Sequence, residues 1–386
     1  MTAEQGGERR RTRVWRALAL LSCALFLASV ARFYHPEFGF SAFLMIPEGD
    51  DAHQLPALTA LPHYKYPQGH AYDGAMYVQL AMEPLLRDPA IDRSLDSPAY
   101  RARRILFCWT AYALGLGKPA WILQTYALQN VFCWLILAWF ITRWFPLDGA
   151  RMFALWTASM FSHGLLTSTR LALLDGPSLL LLALVVAAAE RGRTWLTAAL
   201  VGIAGLGRET NLLAGPLLPW PRGWRAWLRA AAAGVLMVLP LLLWQDYLWS
   251  IYRGASATEG AGQITTPLSG YLMKWAHVFT RYDEVGLWIS AGQAMVLISL
   301  SVQALYVAWM RKWAAPWWKL AAAYAVLMVF VHWAVWEGYP GAITRVMLPL
   351  TFGFNALLAA ERPRGFWVWF GAGNLDLALS PDVFAI

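Results

Sequence analysis

A series of apolar segments runs through this chain, and most of them are long enough, or nearly long enough, to cross a membrane. A helix needs roughly 20 apolar residues to span the hydrocarbon core of a bilayer. Hydrophobic residues make up 59% of the 386 residues, and charged residues make up only 14%. An ordinary soluble domain carries about 25% charged residues. The sequence therefore predicts an all-α, polytopic integral membrane protein.

The apolar segments predict about ten transmembrane helices and one re-entrant or half helix. The first span covers residues 14–31, and a long polar loop follows at 32–104. The segment 105–117 is too short to span comfortably, so we interpret it as the half helix. The later segments lie at 119–141, 152–169, 177–189, 195–206, 212–220, 226–252, 286–310, 317–336 and 342–360. With a second loop at 253–285 and a tail at 361–386, they predict a single membrane domain over residues 1–386.

Basic residues predict how the chain is oriented in the membrane. A cluster precedes the first span, namely Arg9, Arg10, Arg11, Arg13 and Arg16. Because cytoplasmic segments are enriched in Lys and Arg, residues 1–13 are predicted to be cytoplasmic, loop 32–104 external and the tail 361–386 cytoplasmic. The same rule accounts for the net charge of +8, so no nucleic-acid partner is indicated.

Two motifs in the external loop carry candidate functional residues. In the first, Asp73 precedes a helix predicted over residues 75–86, either as its cap or as a functional carboxylate. In the second, Ser97 and Pro98 predict a helix start, after which Arg101 and Arg104 share one face. Arginine forks bind phosphate oxygens, so these two residues are candidates for a lipid phosphate. The alternative is that they are arginines positioned at the membrane boundary.

Three more charged positions fall on the external side of the predicted topology. Asp175 lies at a helix junction, where it could also be a helix cap. Arg208 and Glu209 lie between two short apolar segments, either as a site or as an interhelical ion pair. Glu337 and Arg345 flank a turn rich in Gly and Pro. We predict that these residues gather on one face with the two loop motifs.

In this order the motifs resemble the GT-C superfamily of membrane glycosyltransferases. The matching elements are Tyr-Asp-Gly-x-x-Tyr at 72–77, Ser-Pro-Ala-Tyr-Arg-x-x-Arg at 97–104, Asp175, Gly-Arg-Glu-Thr at 207–210 and Arg-Val-x-Leu-Pro at 345–349. The resemblance extends over about residues 14–360. It lies in the order of the motifs more than in a continuous match of sequence. It is closest to bacterial membrane proteins associated with forming cell-surface glycopolymers, which implies a location in the bacterial inner (plasma) membrane.

The resemblance implies transfer of a sugar from a polyprenyl-phosphate donor to a glycan, lipid or protein acceptor on the external face. Asp73 matches the family's catalytic carboxylate. The expected substrate-binding residues are Tyr72, Tyr77, Tyr100, Arg101, Arg104, Asp175, Arg208, Glu209, Glu337 and Arg345. Membrane lipids are the other expected partners.

The resemblance leaves the metal site unknown. A divalent cation, Mg²⁺ or Mn²⁺, is the cofactor it would add, but the loop has no Asp-x-Asp, because Asp50 and Asp51 are adjacent. His63 and His70 lack the spacing of metal ligands.

Two other functions fit the same features. A lipid-linked glycan transporter or flippase also needs charges in the membrane, although its charges should line a path through the bilayer. A non-catalytic assembly partner could keep the GT-C-like fold without the chemistry.

Overall fold

Helices provide the regular structure of the protein. A computed structural model describes residues 3–67, 72–252 and 264–385, without the side chains of residues 3–11 and of Tyr282. Within those ranges there is no β-strand, and the only β-type pairs are isolated bridges such as His35 with Gly39. The all-α class is therefore confirmed for the described part of the chain.

The helices, in chain order, are α1 Ala3–Ala31, α2 Pro56–Thr59, α3 Asp73–Met82, α4 Ala90–Arg93, α5 Pro98–Ala102, α6 Leu106–Leu114, α7 Pro119–Phe140, α8 Ala150–Met160, α9 His163–Arg170, α10 Asp175–Glu190, α11 Thr194–Gly207, α12 Trp224–Tyr252, α13 Ser269–Thr280, α14 Tyr282–Val285, α15 Leu287–Met310, α16 Pro316–Phe330, α17 Trp333–Trp336, α18 Ile343–Val346, α19 Leu348–Glu361 and α20 Phe366–Gly373. In the described ranges, 3₁₀ helices cover Ser41–Phe43, Asp51–His53, Ile141–Arg143, Glu209–Leu217 and Leu375–Phe384.

Four helical stretches in the described ranges are long and apolar enough to cross a membrane. They are Thr12–Ala31, Pro119–Arg143, Trp224–Tyr252 and Leu287–Met310. The other apolar helices are shorter: α11 has 14 residues and α16 has 15. At ~1.5 Å per residue, helices of that length reach about 21–23 Å, against roughly 30 Å of hydrocarbon core. The helices are compatible with a membrane protein, and the predicted number of about ten spans stays a prediction.

Several predicted spans are interrupted. Segment 152–169 is broken between α8 and α9 around Phe161 and Ser162, and segment 342–360 is broken between α18 and α19 at Met347. The segment 105–117 contains only the nine residues of α6, which is too short to span, as the sequence predicts. The predicted segment 212–220 is largely the 3₁₀ helix Glu209–Leu217.

By residue contacts the chain divides into two compact units. Unit 1 comprises residues 1–32, 134–166 and 263–386. In unit 1, α19 packs on α16 and α15 packs on α20. Polar side chains join these helices: Gln303 Nε2 donates to Gly373 O at 2.7 Å, and the amides of Asn355 and Asn374 exchange hydrogen bonds of 3.1 Å. Residues 361–386, predicted as a tail, thus form α20 and a 3₁₀ helix that pack within this unit.

Unit 2 comprises residues 33–133 and 167–262. In it α10 and α11 form a helical hairpin, and α11 packs along α12. The loop before α3 is held by specific polar contacts. Gln79 Oε1 accepts the Leu55 N–H at 2.8 Å, and Arg170 donates to Ala42 O at 3.1 Å and to the Tyr66 hydroxyl at 2.9 Å. The first polar loop is therefore folded against the helices of unit 2.

Candidate functional site

Asp73 opens α3 rather than capping it from outside. The N-cap residue is Tyr72, whose backbone is extended, and no side chain caps this helix. The helix ends at Met82 and not at residue 86, because Glu83 precedes Pro84 and a residue before proline is disfavoured in the α region. The predicted capping role of Asp73 and the predicted helix length are therefore wrong. The Asp73 carboxylate instead accepts from Arg101 Nη2 at 3.0 Å.

Gly74 lets α3 approach the neighbouring backbone closely. A Cβ atom at this position would lie 2.7 Å from Leu171 O and 3.1 Å from Leu44 O, and neither carbonyl belongs to a flexible side chain. A methyl group there would force the neighbouring backbone to move. Glycine is therefore required at position 74 for α3 to hold Asp73 in this place.

We therefore expect Gly74→Ala to destabilise the protein by about 1–3 kcal/mol, as overpacked sites do. The measurement is the apparent melting temperature of detergent-purified protein, followed as the fraction that stays monodisperse after heating. Gly234→Ala is the matched control, since this glycine is also helical and no described atom lies within 4 Å of a Cβ there. Equal melting temperatures for wild type and Gly74→Ala would contradict the close approach.

Arg101 joins two carboxylates. Its Nε and Nη2 atoms donate to the two Asp96 oxygens at 2.9 and 2.7 Å, and Nη2 also contacts Asp73. The hydrogen bonds from Arg101 hold the pKa of the Asp96 carboxyl below its usual value. Arg101 is at the end of the short helix that begins after Ser97, so the predicted Ser-Pro helix start is confirmed. This arrangement fixes Asp73 while leaving its side chain 33% exposed.

Tyr77 supports both arginines of the second motif. It is 1% exposed, and its ring centre lies 5.6 Å from the Arg101 guanidinium carbon. Arg104 Nη1 lies 3.5 Å from the Tyr77 hydroxyl oxygen. Burial raises the pKa of Tyr77, so the phenol keeps its proton. The Tyr77 ring is covered in this structure, and only Tyr72 and Tyr100 among the three predicted tyrosines have partly exposed side chains.

Arg104 pairs with a residue far away in the sequence. Its Nε atom donates to Glu209 Oε2 at 3.0 Å, and Nη2 donates to the Tyr100 hydroxyl at 2.7 Å. The guanidinium carbon also lies 4.6 Å from the Tyr100 ring centre. Glu209 follows α11, so this contact joins the loop 32–104 to the corner between α11 and the next 3₁₀ helix.

A third arginine, Arg208, forms an ion pair that joins the end of α11 to the start of α10. Asp175 is the first residue of α10, and Arg208 follows the last residue of α11. Their side chains form an ion pair, and the Asp175 side chain is only 5% exposed. No side chain caps α10, so the predicted capping role of Asp175 is not observed. The alternative prediction of an interhelical ion pair at this corner describes Arg208, whereas Glu209 pairs with Arg104, which lies between α5 and α6.

These contacts bring nine predicted residues into one cluster in unit 2: Tyr72, Asp73, Tyr77, Tyr100, Arg101, Arg104, Asp175, Arg208 and Glu209. We call it the polar cluster. Each of its three arginines contacts at least one of four carboxylates, those of Asp73, Asp96, Asp175 and Glu209. The arginines predicted to bind a lipid phosphate are thus engaged in holding carboxylates. Glu337 and Arg345 belong to unit 1, where Glu337 is exposed and Arg345 is buried.

A cavity of about 290 Å³ adjoins the polar cluster in unit 2. Asp96 lines it, as do Tyr72 and Met76 on either side of the first turn of α3. Arg93 and His53 also line it, and no sequence motif distinguishes them from the other charged residues of the loop. The cavity is near the lower end of the size range of small-molecule sites.

The donor set does not fit a divalent cation. Among the described residues no group of three or more His, Cys, Asp or Glu side chains is placed to bind a metal. The Asp73 and Asp96 carboxylates both contact the Arg101 guanidinium, which already neutralises their charge. His63 is buried, with Nδ1 2.8 Å from Leu61 O, and His70 lies outside the described residues.

Comparisons with protein-family models, with curated proteins and with solved structures each found no match for this chain.

Proposed function

We propose that the protein is a membrane glycosyltransferase of the GT-C type, which moves a sugar from a polyprenyl-phosphate donor to a glycan, lipid or protein acceptor. The observation that carries this proposal is the environment of Asp73. A partly exposed carboxylate is held by Arg101 beside a small cavity, in a chain that has helices of membrane-spanning length.

In the proposed reaction Asp73 is the general base. An acceptor hydroxyl is a poor nucleophile at neutral pH, so Asp73 accepts its proton as the hydroxyl oxygen forms a bond to the anomeric carbon. The bond between that carbon and the lipid phosphate breaks, and its electron pair leaves on the phosphate oxygen. Arg101 positions Asp73, and Asp96 and Tyr77 position Arg101. No step in this scheme passes through a metal ion.

The cavity beside α3 is the proposed sugar site. Tyr72 offers an aromatic face, and Asp96 offers hydrogen-bond acceptors to sugar hydroxyls. Arg93 is exposed on the cavity wall and forms no ion pair in the described ranges, which makes it a better candidate for the leaving phosphate than the paired arginines. This assignment replaces the roles that the sequence resemblance gives to Arg101, Arg104 and Arg208.

The proposed topology keeps about ten spans in a bacterial inner membrane, with a cytoplasmic N-terminus and the polar cluster on the external face. Interrupted pairs such as α8 with α9 and α18 with α19 would each count as one broken span. Non-helical backbone is tolerated at membrane depth where it is buried in protein or lines a cavity. The exposed apolar side chains of α1 and α12 support lipid contact.

A non-catalytic assembly partner is the second candidate, and the pairing of every cluster arginine favours it. Ion pairs of this kind also serve as purely structural links between elements. The proposed enzyme and this alternative differ in one observable, which is turnover.

The first test is sugar transfer by the purified protein in lipid nanodiscs. A panel of polyprenyl-phosphate sugars is supplied with glycan, lipid and protein acceptors, and released polyprenyl phosphate and glycosylated acceptor are measured together. We expect both products in equal amounts from at least one donor, with no release when the acceptor is left out. Tight donor binding without release of polyprenyl phosphate from any donor would favour the non-catalytic candidate.

A further inference from the structure

A second site lies at the other end of the α10–α11 hairpin in unit 2. A cleft of about 740 Å³ is lined by residues 192–196, residues 218–221 and the first half of α12. We call it the basic cleft, because Arg193 and Arg229 both line it. The polar cluster lies where α11 ends, and the basic cleft lies where α11 begins. A helix of 14 residues places these ends about 20 Å apart.

The charge in the basic cleft is uncompensated in the described part of the chain. Arg193 and Arg229 are exposed, and neither is joined to a carboxylate, in contrast to the arginines of the polar cluster. The first turn of α11 also faces the cleft, and no side chain caps it. Unbonded N–H groups at a helix start add positive partial charge to that of the two guanidinium groups. The cleft is therefore suited to an anion.

Apolar and aromatic side chains border the same cleft. Trp195 and Trp220 line it, and Trp220 is 80% exposed. Leu196 lines it as well, and Trp195 and Leu196 are also exposed. Tryptophan favours the membrane interface, where its ring is apolar and its N–H can be hydrated. A ligand for this site would therefore combine an anionic head with hydrocarbon chains.

We propose that the basic cleft binds an anionic phospholipid, with the phosphate held by Arg193 and Arg229 and the acyl chains against the exposed side chains of Trp195, Leu196 and Trp220. Basic pockets between membrane helices bind anionic headgroups in this way, since arginine forks match phosphate oxygens. A soluble phosphate compound would use the two arginines but not the exposed apolar side chains of Trp195, Leu196 and Trp220. The lipid is therefore the occupant that accounts for both features.

The test is lipid retention by the full-length protein in native mass spectrometry. Wild-type protein is delipidated and then supplied with equal amounts of phosphatidylglycerol and phosphatidylcholine. We expect phosphatidylglycerol to be retained preferentially and millimolar inorganic phosphate not to displace it. Equal retention of the two lipids, or full displacement by inorganic phosphate, would overturn the proposal without any variant.

Two double variants locate the site. Arg193→Gln with Arg229→Gln should lower phosphatidylglycerol retention by about 10-fold or more, because each interfacial arginine contributes measurably to anionic-lipid binding. Arg222→Gln with Arg225→Gln removes the same charge from the same basic region, but neither residue lines the cleft. The control should retain phosphatidylglycerol nearly as well as wild type. Equal losses in the two variants would show diffuse attraction to a basic surface and would reject the cleft as a site.

Discussion

Replacing Asp73 with asparagine should lower sugar transfer by at least about 100-fold, since general-base catalysis contributes roughly 10²–10⁴-fold. Asparagine keeps the size of the side chain and can still accept a hydrogen bond from Arg101, but it cannot take a proton from the acceptor hydroxyl. Donor binding should be nearly unchanged, because Asp73 does not line the cavity proposed for the sugar. The measurement is kcat and KM in nanodiscs with the donor that supports transfer by wild type.

The matched control is Glu37→Gln, which removes one negative charge from the same loop at an exposed residue. It should keep transfer within about 3-fold of wild type, because exposed surface charges have small effects. If Asp73→Asn folds, binds donor and transfers sugar as fast as wild type, Asp73 is only a structural partner of Arg101. The proposed mechanism would then be rejected, although the enzyme class would stand on the transfer itself.

The helical class and the start of several elements could be predicted from sequence. Long apolar stretches predict helices directly, and the first span at 14–31 corresponds to the apolar part of α1. Ser97 and Pro98 predict a helix start because proline lacks the N–H that a first turn leaves unbonded, and α5 begins there. The helical class and the helix starts depend only on residues that are close together in the sequence, so they can be predicted from it.

The helix breaks were not predictable from hydropathy, because the residues at the breaks are themselves apolar or small. The boundary between α8 and α9 falls at Phe161 and Ser162, within a segment that reads as one continuous span. At the boundary between α18 and α19, Pro349 follows near the start of the new helix. That proline was a usable signal, since proline favours a first turn over a helix interior.

The sequence indicated which residues belong to the polar cluster, but it did not indicate which arginine pairs with which carboxylate. The sequence predicts that Asp73, Arg101 and Arg104 lie near one another, because they belong to neighbouring motifs. Which carboxylate each arginine meets depends on tertiary packing: Arg104 and Glu209 are 105 positions apart. Because of this packing, Arg101 and Arg104, which were predicted to bind phosphate, pair with carboxylates. Arg93 lines the cavity instead.

Removing one partner of the buried Asp175–Arg208 pair should destabilise the protein far more than removing one partner of an exposed ion pair. Asp175→Ala leaves the Arg208 guanidinium, itself only 16% exposed in its side chain, without its carboxylate. Breaking a buried pair in this way costs about 3–5 kcal/mol. Glu284→Ala is the control, because its pair with Arg281 is exposed, and such pairs contribute about 0–1 kcal/mol.

The decisive measurement adds the double variant Asp175→Leu with Arg208→Met, which removes both charges and keeps apolar volume at the site. Thermal stability in detergent should fall in Asp175→Ala and recover for the most part in the double variant, since replacing a buried pair by apolar residues is often neutral. Recovered stability with lost sugar transfer would assign the pair to the proposed site. Recovered stability with full transfer would make it a structural link between α10 and α11. Equal losses in the single and double variants would contradict the view that an unpaired charge is what destabilises Asp175→Ala.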